Sequence, residues 1–364
     1  MTFFYLCDII IIMKEIVKLL TENGYEAYIV GGYVRDYLLG IESNDVDICT
    51  SAPISKISSI FKNRGVCFKE YYSYHIKEDN MSYDITTFRI EKKYKNNKPV
   101  SMSVAKSLKD DLLRRDFTIN TFAIDKDGKL IDLLDAKKDL DSKIIRVVGD
   151  TIKKFTEDKT RILRAIRFSC TLDFDLDPSI IEFLESKKIS YLNDITKEFK
   201  KSELDKIFDC LNVNKFFYLL NRYNIKKYFN IEYENDIIYD VYNKYGIWAQ
   251  LETDLPISNR ERRKISKIKK LVSNNNITLE DVKNYDYEVI YNAASILKMS
   301  DKVNSLYEII KLHSLIDIEL SIDEMLEYVS VSDIKRVYKL VERGIMEGLV
   351  ANRKDDIIEY IRKL

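Results

Sequence analysis

The stretch YIVGGYVRDYLLGIESNDVDICT, residues 28–50, sets two adjacent glycines ahead of Arg35-Asp36 and then two aspartates, Asp45 and Asp47, one residue apart. An apolar run that ends in Gly31-Gly32 and turns into a helix near Tyr33 or Val34 brings a backbone without Cβ atoms close to a ligand. The first turn of that helix offers unpaired N–H groups to negative charge. The combination suits a triphosphate, although an isolated Gly-Gly also serves a tight turn with no ligand. Asp45 and Asp47 stand at i and i+2, so on a strand both carboxylates face one side while Val46 and Ile48 face the core. Two such hard oxygen ligands suit Mg²⁺, and the two-metal logic of nucleotidyl transfer would use them to activate an attacking hydroxyl and neutralise a leaving pyrophosphate. A bare D-x-D is also common among solvated turn aspartates. A third carboxylate, Asp84 in SYDITTFR, faces the same site from a neighbouring strand or else pairs with Arg89.

Outward from this stretch, 364 residues with 46% hydrophobic content can fill the cores of two or three domains. Fifty-nine basic residues balance fifty-nine acidic ones, so any nucleic-acid contact must be local. Five cysteines lie far apart with only His75 and His313 to assist them, which argues against a zinc site or disulfide framework and for reduced thiols in the cytoplasm. The apolar opening MTFFYLCDIIII contains Asp8, lacks a basic leader and is too short to span a bilayer, so no membrane insertion is expected; a clean amphipathic pattern starts at Met13. Seven of the ten glycines precede residue 150, and only Gly246, Gly344 and Gly348 follow, with Pro178 and Pro256. The later part should therefore be nearly all helix. The earlier part alternates a helical run (13–22) with strand candidates at 26–30, 45–50, 82–88 and 117–124, a mixed α/β pattern.

Two further stretches are rich in arginine. LLRRDFTIN (112–120) read alone is an ordinary ion-pair cluster; EDKTRILRAIRF (157–168) read alone is a helix with Ile162, Ala165 and Ile166 on one stripe and Arg161, Arg164 and Arg167 on the opposite arc, Asp158 one turn before. Taken in order with GGYVRDYLLGIESNDVD, these stretches resemble the signature motifs of the class II tRNA nucleotidyltransferase and poly(A) polymerase family. The resemblance spans roughly residues 25–170. It implies that Asp45 and Asp47 are the catalytic, metal-binding pair, with Mg²⁺ as cofactor, and that Gly32 and Arg35 hold the triphosphate. It further implies that Arg115 and Asp116 recognise phosphate and ribose, that Asp158 and Arg161 act as a protein template for the base, and that Arg164 and Arg167 support the nucleotide. The template chemistry is sound. An aspartate accepts from an exocyclic amine and an arginine donates to the adjacent ring nitrogen, which cytosine and adenine satisfy and uracil and guanine oppose.

Residues 89–114 resemble in length the flexible loop of relatives that add all of C, C and A to tRNA, although Lys98-Pro99 departs from the usual Arg-Pro. Phe199, in ITKEFKKSELDKIF, stands where an arginine is usual. SNRERRKISKIKKL (258–271) carries seven basic residues against one acid and either follows RNA phosphates or forms a solvated helix face; the scarcity of aromatics interleaved there points to backbone and shape reading. The expected architecture is α+β: an N-terminal mixed α/β nucleotidyltransferase head (13–150), a helical neck with the base-selecting motif (151–212), and a helical body and tail (213–364). The partners implied by the resemblance are tRNA, CTP and ATP, with no membrane.

Overall fold

A computed structural model of the chain describes residues 15–78, 81–234, 237–312, 318–330, 333–346 and 349–364. Met13, Cys7, His313 and the apolar opening lie outside the described residues. The chain divides into two compact units after Ile231.

The first unit opens with helix α1 (15–22), whose Ile16, Val17 and Leu20 are buried at the i, i+1, i+4 spacing of an amphipathic helix. Strand β1 (Ala27–Val30) follows, then α2 (Gly32–Leu38), β2 (Asp45–Thr50) and α3 (Ile54–Phe61). Next come β3 (Gly65–Phe68), β4 (Ser73–Glu78), β5 (Met81–Thr87), β6 (Arg89–Lys95) and β7 (Lys98–Val104). Helix α4 (Leu108–Leu113) leads to β8 (Ala123–Ile124), β9 (Leu130–Ile131) and α5 (Ala136–Asp141). The main sheet has the order β3-β4-β5-β2-β1-β8-β9, with β2 parallel to β5 and antiparallel to β1. Its register places Asp47 opposite both Val30 and Asp84. Because side chains alternate with period two, Val46 and Ile48 enter the core, while Asp45 and Asp47 share the other face.

One sequence expectation changes here. FTINTFAI is not one strand: Thr118–Asn120 forms a 3-10 turn and only Ala123–Ile124 pair in the sheet, because Asn120 and Thr121 spend their polar groups on local hydrogen bonds and the Thr118 hydroxyl donates to Asp139. Within the segment compared with the flexible loop, residues 89–104 form the β6–β7 hairpin. Asn96 and Asn97 take φ of 51° and 62° in its two-residue turn, the left-handed pair that a tight hairpin requires and that asparagine tolerates.

Helices α6 (Thr151–Glu157), α7 (Thr160–Thr171), α8 (Pro178–Glu185), α9 (Lys197–Phe208) and α10 (Val213–Arg222) complete the first unit. The second unit contains α11 (Lys244–Trp248), α12 (Asn259–Ser273), α13 (Leu279–Asn284), α14 (Tyr287–Leu297) and α15 (Ser300–Leu312), packed around Ile268, Leu271, Val289, Ile290 and Ala293. Further helices α16 (Ile322–Met325), α17 (Ile334–Met346) and α18 (Lys354–Ile361) enclose a separate small core around Met325, Val341 and Ile357. No helix among the described residues is long and apolar enough to cross a membrane.

Candidate active site

The site is built on the ends of β1, β2 and β5. Gly31 caps α2 with φ 79° and ψ −145°, a conformation open to glycine and strongly disfavoured for other residues. A Cβ there would overlap Asp47 Oδ2 and come within 2.9 Å of Arg115 Nη1. The glycine turn, the second aspartate and the arginine are therefore mutually in contact distance, although they are far apart in sequence. Gly31 is the position that demands glycine; Gly32, singled out from the sequence, starts α2 with ordinary negative φ and only van der Waals neighbours. Replacing Gly31 with alanine is expected to cost at least about 1–2 kcal/mol of stability from the left-handed backbone alone and to push Asp47 out of place. A lowered urea midpoint together with a more than tenfold fall in nucleotide incorporation would be the result; an unchanged rate would show that Asp47 does not need this turn.

Asp45 and Asp47 are exposed, and neither accepts a hydrogen bond from any described residue. Asp47 nevertheless lies in a depression crowded by protein. Desolvation there lifts its carboxyl above the ordinary aspartate range, Arg115 opposing the shift and Asp84 adding to it. Asp84 occupies the same face. Its Oδ1 lies 3.3 Å from His75 Nε2 without the alignment of a hydrogen bond, so its neighbour is His75 rather than Arg89, whose guanidinium turns to Glu91 and the Tyr71 carbonyl. No group of three or more His, Cys, Asp or Glu side chains among the described residues is placed to hold a metal by itself. Two uncommitted carboxylates fit Mg²⁺, which is commonly held by one or two carboxylates together with substrate phosphates.

Arg115 points to an anion. Its Nε is buried without a hydrogen-bond partner, and its Nη2 is steadied at 3.4 Å by the buried Asp111, which also accepts from Arg114 at 2.9 Å and from the Arg89 backbone N–H at 3.1 Å. Burial works against ionisation of Asp111, yet Arg114 and Arg115 hold its carboxyl below the usual range.

Behind the turn runs a continuous chain of charge-assisted bonds. Arg35 donates to Asp36 Oδ1 through Nε (2.9 Å) and Nη2 (2.7 Å) and to Asn120 Oδ1 through Nη1 (2.7 Å), leaving one N–H on each terminal nitrogen. Asn120 Nδ2 donates to Asp116 Oδ1 (3.0 Å), and Asp116 Oδ2 accepts from Arg164 Nε at 2.8 Å and Nη2 at 2.5 Å. Asn120 was not singled out from the sequence, although it closes the quoted LLRRDFTIN motif. Burial alone would raise the Asp116 carboxyl, but Arg164, Asn120 and the Phe117 N–H hold it far below the normal carboxylate range. A folded-state value below the unfolded one adds stability that is complete above about pH 4 and disappears as pH falls further. The urea midpoint of the native chain should therefore drop below about pH 4, and Asp116→Asn should flatten part of that drop. Identical acid profiles for the two proteins would remove the pair from the account.

The stretch EDKTRILRAIRF (157–168) is not a single helix. The helical pattern of 152–170 breaks between α6 and α7, where Asp158 is extended (φ −140°, ψ 101°) and its Oδ1 accepts from the Thr160 N–H and hydroxyl. The break is physical: an aspartate with a threonine two residues on offers the backbone a cap that competes with helix. Asp158 Oδ2 then lies 3.7 Å from Arg161 Nε, so one acceptor and one donor stand side by side. Arg161 is buried, its Nη1 donating to the Lys154 carbonyl (3.2 Å) and its Nη2 to the Tyr94 hydroxyl (3.1 Å), with the Tyr94 ring 5.5 Å away. Tyr94 donates to Glu91 (2.6 Å), and Asn97 at the hairpin tip accepts from the Lys159 N–H (3.1 Å). Tyr94, Asn97 and Lys154 escaped the sequence reading, since all three lie in lysine-rich segments whose pattern looks solvated. Lys154 Nζ donates to the carbonyls of Leu113 (2.8 Å) and Arg115 (3.1 Å); burial, with Arg161 adding, lowers its ammonium to about 8. Arg167 is drawn away from this group by Glu203 on α9, at 2.6 Å.

Paired aspartates on one strand, a glycine turn against them and inward guanidinium groups define the chain as a nucleotidyltransferase. Residues 27–146 match the family model described as poly A polymerase head domain. The sequence is 43% identical over 193 residues to a CCA-adding enzyme of Bacillus pumilus, covering 53% of this chain and 48% of that one, and 28% identical to a CCA-adding enzyme of Staphylococcus aureus over 96% of both. In fold it resembles the Bacillus stearothermophilus CCA-adding enzyme in complex with CTP (TM-score 0.68, 22% identity, 96% of each chain). It also resembles the Thermotoga maritima CCA-adding enzyme complexed with tRNA (TM-score 0.63, 21% identity, 97% and 94%). Over residues 27–146 the chain thus resembles poly A polymerase head domains, and over nearly its whole length it is similar to CCA-adding enzymes; nucleotidyltransferases generally use a divalent metal ion.

Proposed function

We propose that this protein adds CCA to the 3′ end of tRNA from CTP and ATP, without a nucleic-acid template, in the cytoplasm. The observation that carries the reading is the pairing of Asp158 and Arg161, an acceptor and a donor 3.7 Å apart, at the break between α6 and α7. Asp158 accepts from the exocyclic amine of cytosine or adenine and Arg161 donates to the neighbouring ring nitrogen; uracil and guanine meet acceptor with acceptor and donor with donor. Arg161 keeps its position through Tyr94 and the Lys154 carbonyl.

The triphosphate lies against the Gly31-Gly32 turn, with the unpartnered Arg115 Nε and the free N–H groups of Arg35 as donors. Asp116 orients Arg164 toward the nucleotide and lies within reach of a ribose hydroxyl, and Arg167, tied to Glu203, backs Arg164 and Arg35 across the shared Phe168 ring. Asp45 and Asp47 would hold Mg²⁺, which supplies Lewis-acid activation of the tRNA 3′-hydroxyl and neutralises the leaving pyrophosphate. Residues 13–150 serve as head, 151–212 as neck, and the helices from 213 onward grip the RNA.

Incubating the protein with tRNA lacking CCA, and separately with tRNA ending in CC, plus CTP and ATP singly and together, and sequencing the product ends tests the reading. Ends in CC with CTP alone and CCA with both are expected. Long A tails would mark a poly(A) polymerase, ends stopping at CC a CC-only enzyme, a single A added only to tRNA already ending in CC an A-only enzyme, and tRNA binding with no incorporation on either acceptor an inactive RNA-binding protein.

A further inference from the structure

The basic stretch 258–271 contains no aromatic residue, but the fold sets aromatic rings beside it. Tyr287 and Tyr291, one turn apart on α14, stack with centroids 4.2 Å apart. Tyr242 meets Tyr287 edge-on at 5.6 Å, and Tyr307 from α15 lies 5.3 Å from Tyr287 and 5.7 Å from Tyr291. Such a cluster would normally be core. Here Tyr242 and Tyr287 remain 52% and 50% exposed, so part of a cluster of touching rings faces solvent.

The cations stand next to it. Lys264 of α12 pairs with Glu288, the residue after Tyr287, and Asn243, the residue after Tyr242, donates to the same carboxylate at 2.6 Å. The Glu288 carboxylate beside Tyr287 in sequence is thus paired. Arg260 and Lys267 lie one turn either side of Lys264, and both are exposed together with Arg263. Asp286 and Glu308, also exposed, temper the field without cancelling it.

We infer that the Tyr242–Tyr287 face is a stacking platform for an unpaired nucleobase of the bound RNA, with the α12 cations on the flanking phosphates. The inference rests on tRNA being the substrate and names which part of it this surface reads. A paired stem hides its base faces, so the ligand is a loop nucleotide. The platform amends the expectation from 258–271 alone, that this region reads only backbone and shape.

The test uses the full-length chain and fluorescence anisotropy at fixed salt. One ligand is tRNA lacking CCA; the other is a paired RNA stem with a 3′ overhang whose loop is replaced by a non-nucleotide linker. Tyr242→Ala with Tyr287→Ala should raise Kd for tRNA about tenfold and leave the linker-closed stem unchanged, while the double phenylalanine variant stays near wild type. Ultraviolet crosslinking of the wild-type complex should join Tyr287 to a loop nucleotide. Equal Kd for all variants, equal losses on both RNAs, or crosslinks confined to the stem would overturn the platform; a surface that instead captures protein would show the first of these. If the wild-type chain binds no tRNA and adds nothing to it, the proposed function fails as well. If it adds CCA while the variants match it, only the platform fails.

Discussion

Replacing Asp45 and Asp47 together by alanine should reduce nucleotide incorporation by about a thousandfold or more while leaving tRNA affinity intact. The size follows from the several kcal/mol that a bound cation contributes to transition-state charge, each 1.36 kcal/mol being a factor of ten. Stability should move the other way. Asp47 is a desolvated carboxylate with a raised pKa and no hydrogen bond from a described residue, so at neutral pH its charge opposes folding. Asp47→Asn should therefore hold or raise the urea midpoint as activity collapses. A residue kept for packing would lose both together, and a variant that remained active would end the two-aspartate account.

Base choice should relax when either half of the protein template is removed. Two opposed hydrogen bonds at roughly 1–3 kcal/mol each give discrimination on the order of a hundredfold or more for C and A against U and G. In Arg161→Ala the ratio of kcat/KM for CTP over UTP should fall toward unity, chiefly through loss of CTP turnover. Asp158→Ala should do the same and also loosen the start of α7, since its Oδ1 caps Thr160. The double variant should lose little beyond either single one, because acceptor and donor act as a unit. Undiminished preference for CTP in Arg161→Ala would place base selection elsewhere.

The strand DVDICT was legible because alternation of two aspartates with Val46 and Ile48 can be satisfied in only one way on a half-buried strand, and the structure has that pattern residue for residue. Family likeness in the motifs was legible for the same local reason: each is a short run whose chemistry is complete within a dozen residues. What sequence left open were the partners. Arg-Arg-Asp reads equally well as a surface cluster until Asn120 and Arg164 close around Asp116. Lysine-rich 89–104 reads as solvated loop until the Asn96-Asn97 turn folds it into a hairpin that places Tyr94 on Arg161.

From the chain alone come the α+β class and the facing aspartate pair, because period-two and period-3.6 patterning operate over a few residues; a base-reading role for Asp158 and Arg161 is implied only by the family resemblance of their motif. Only the tertiary structure decided that Gly31 rather than Gly32 is the glycine pressed against Asp47. It alone assembled four tyrosines into one cluster, with Tyr242 and Tyr287 exposed. Those outcomes depend on which distant groups meet, and that is set by burial and packing over the whole fold rather than by any residue's own preference.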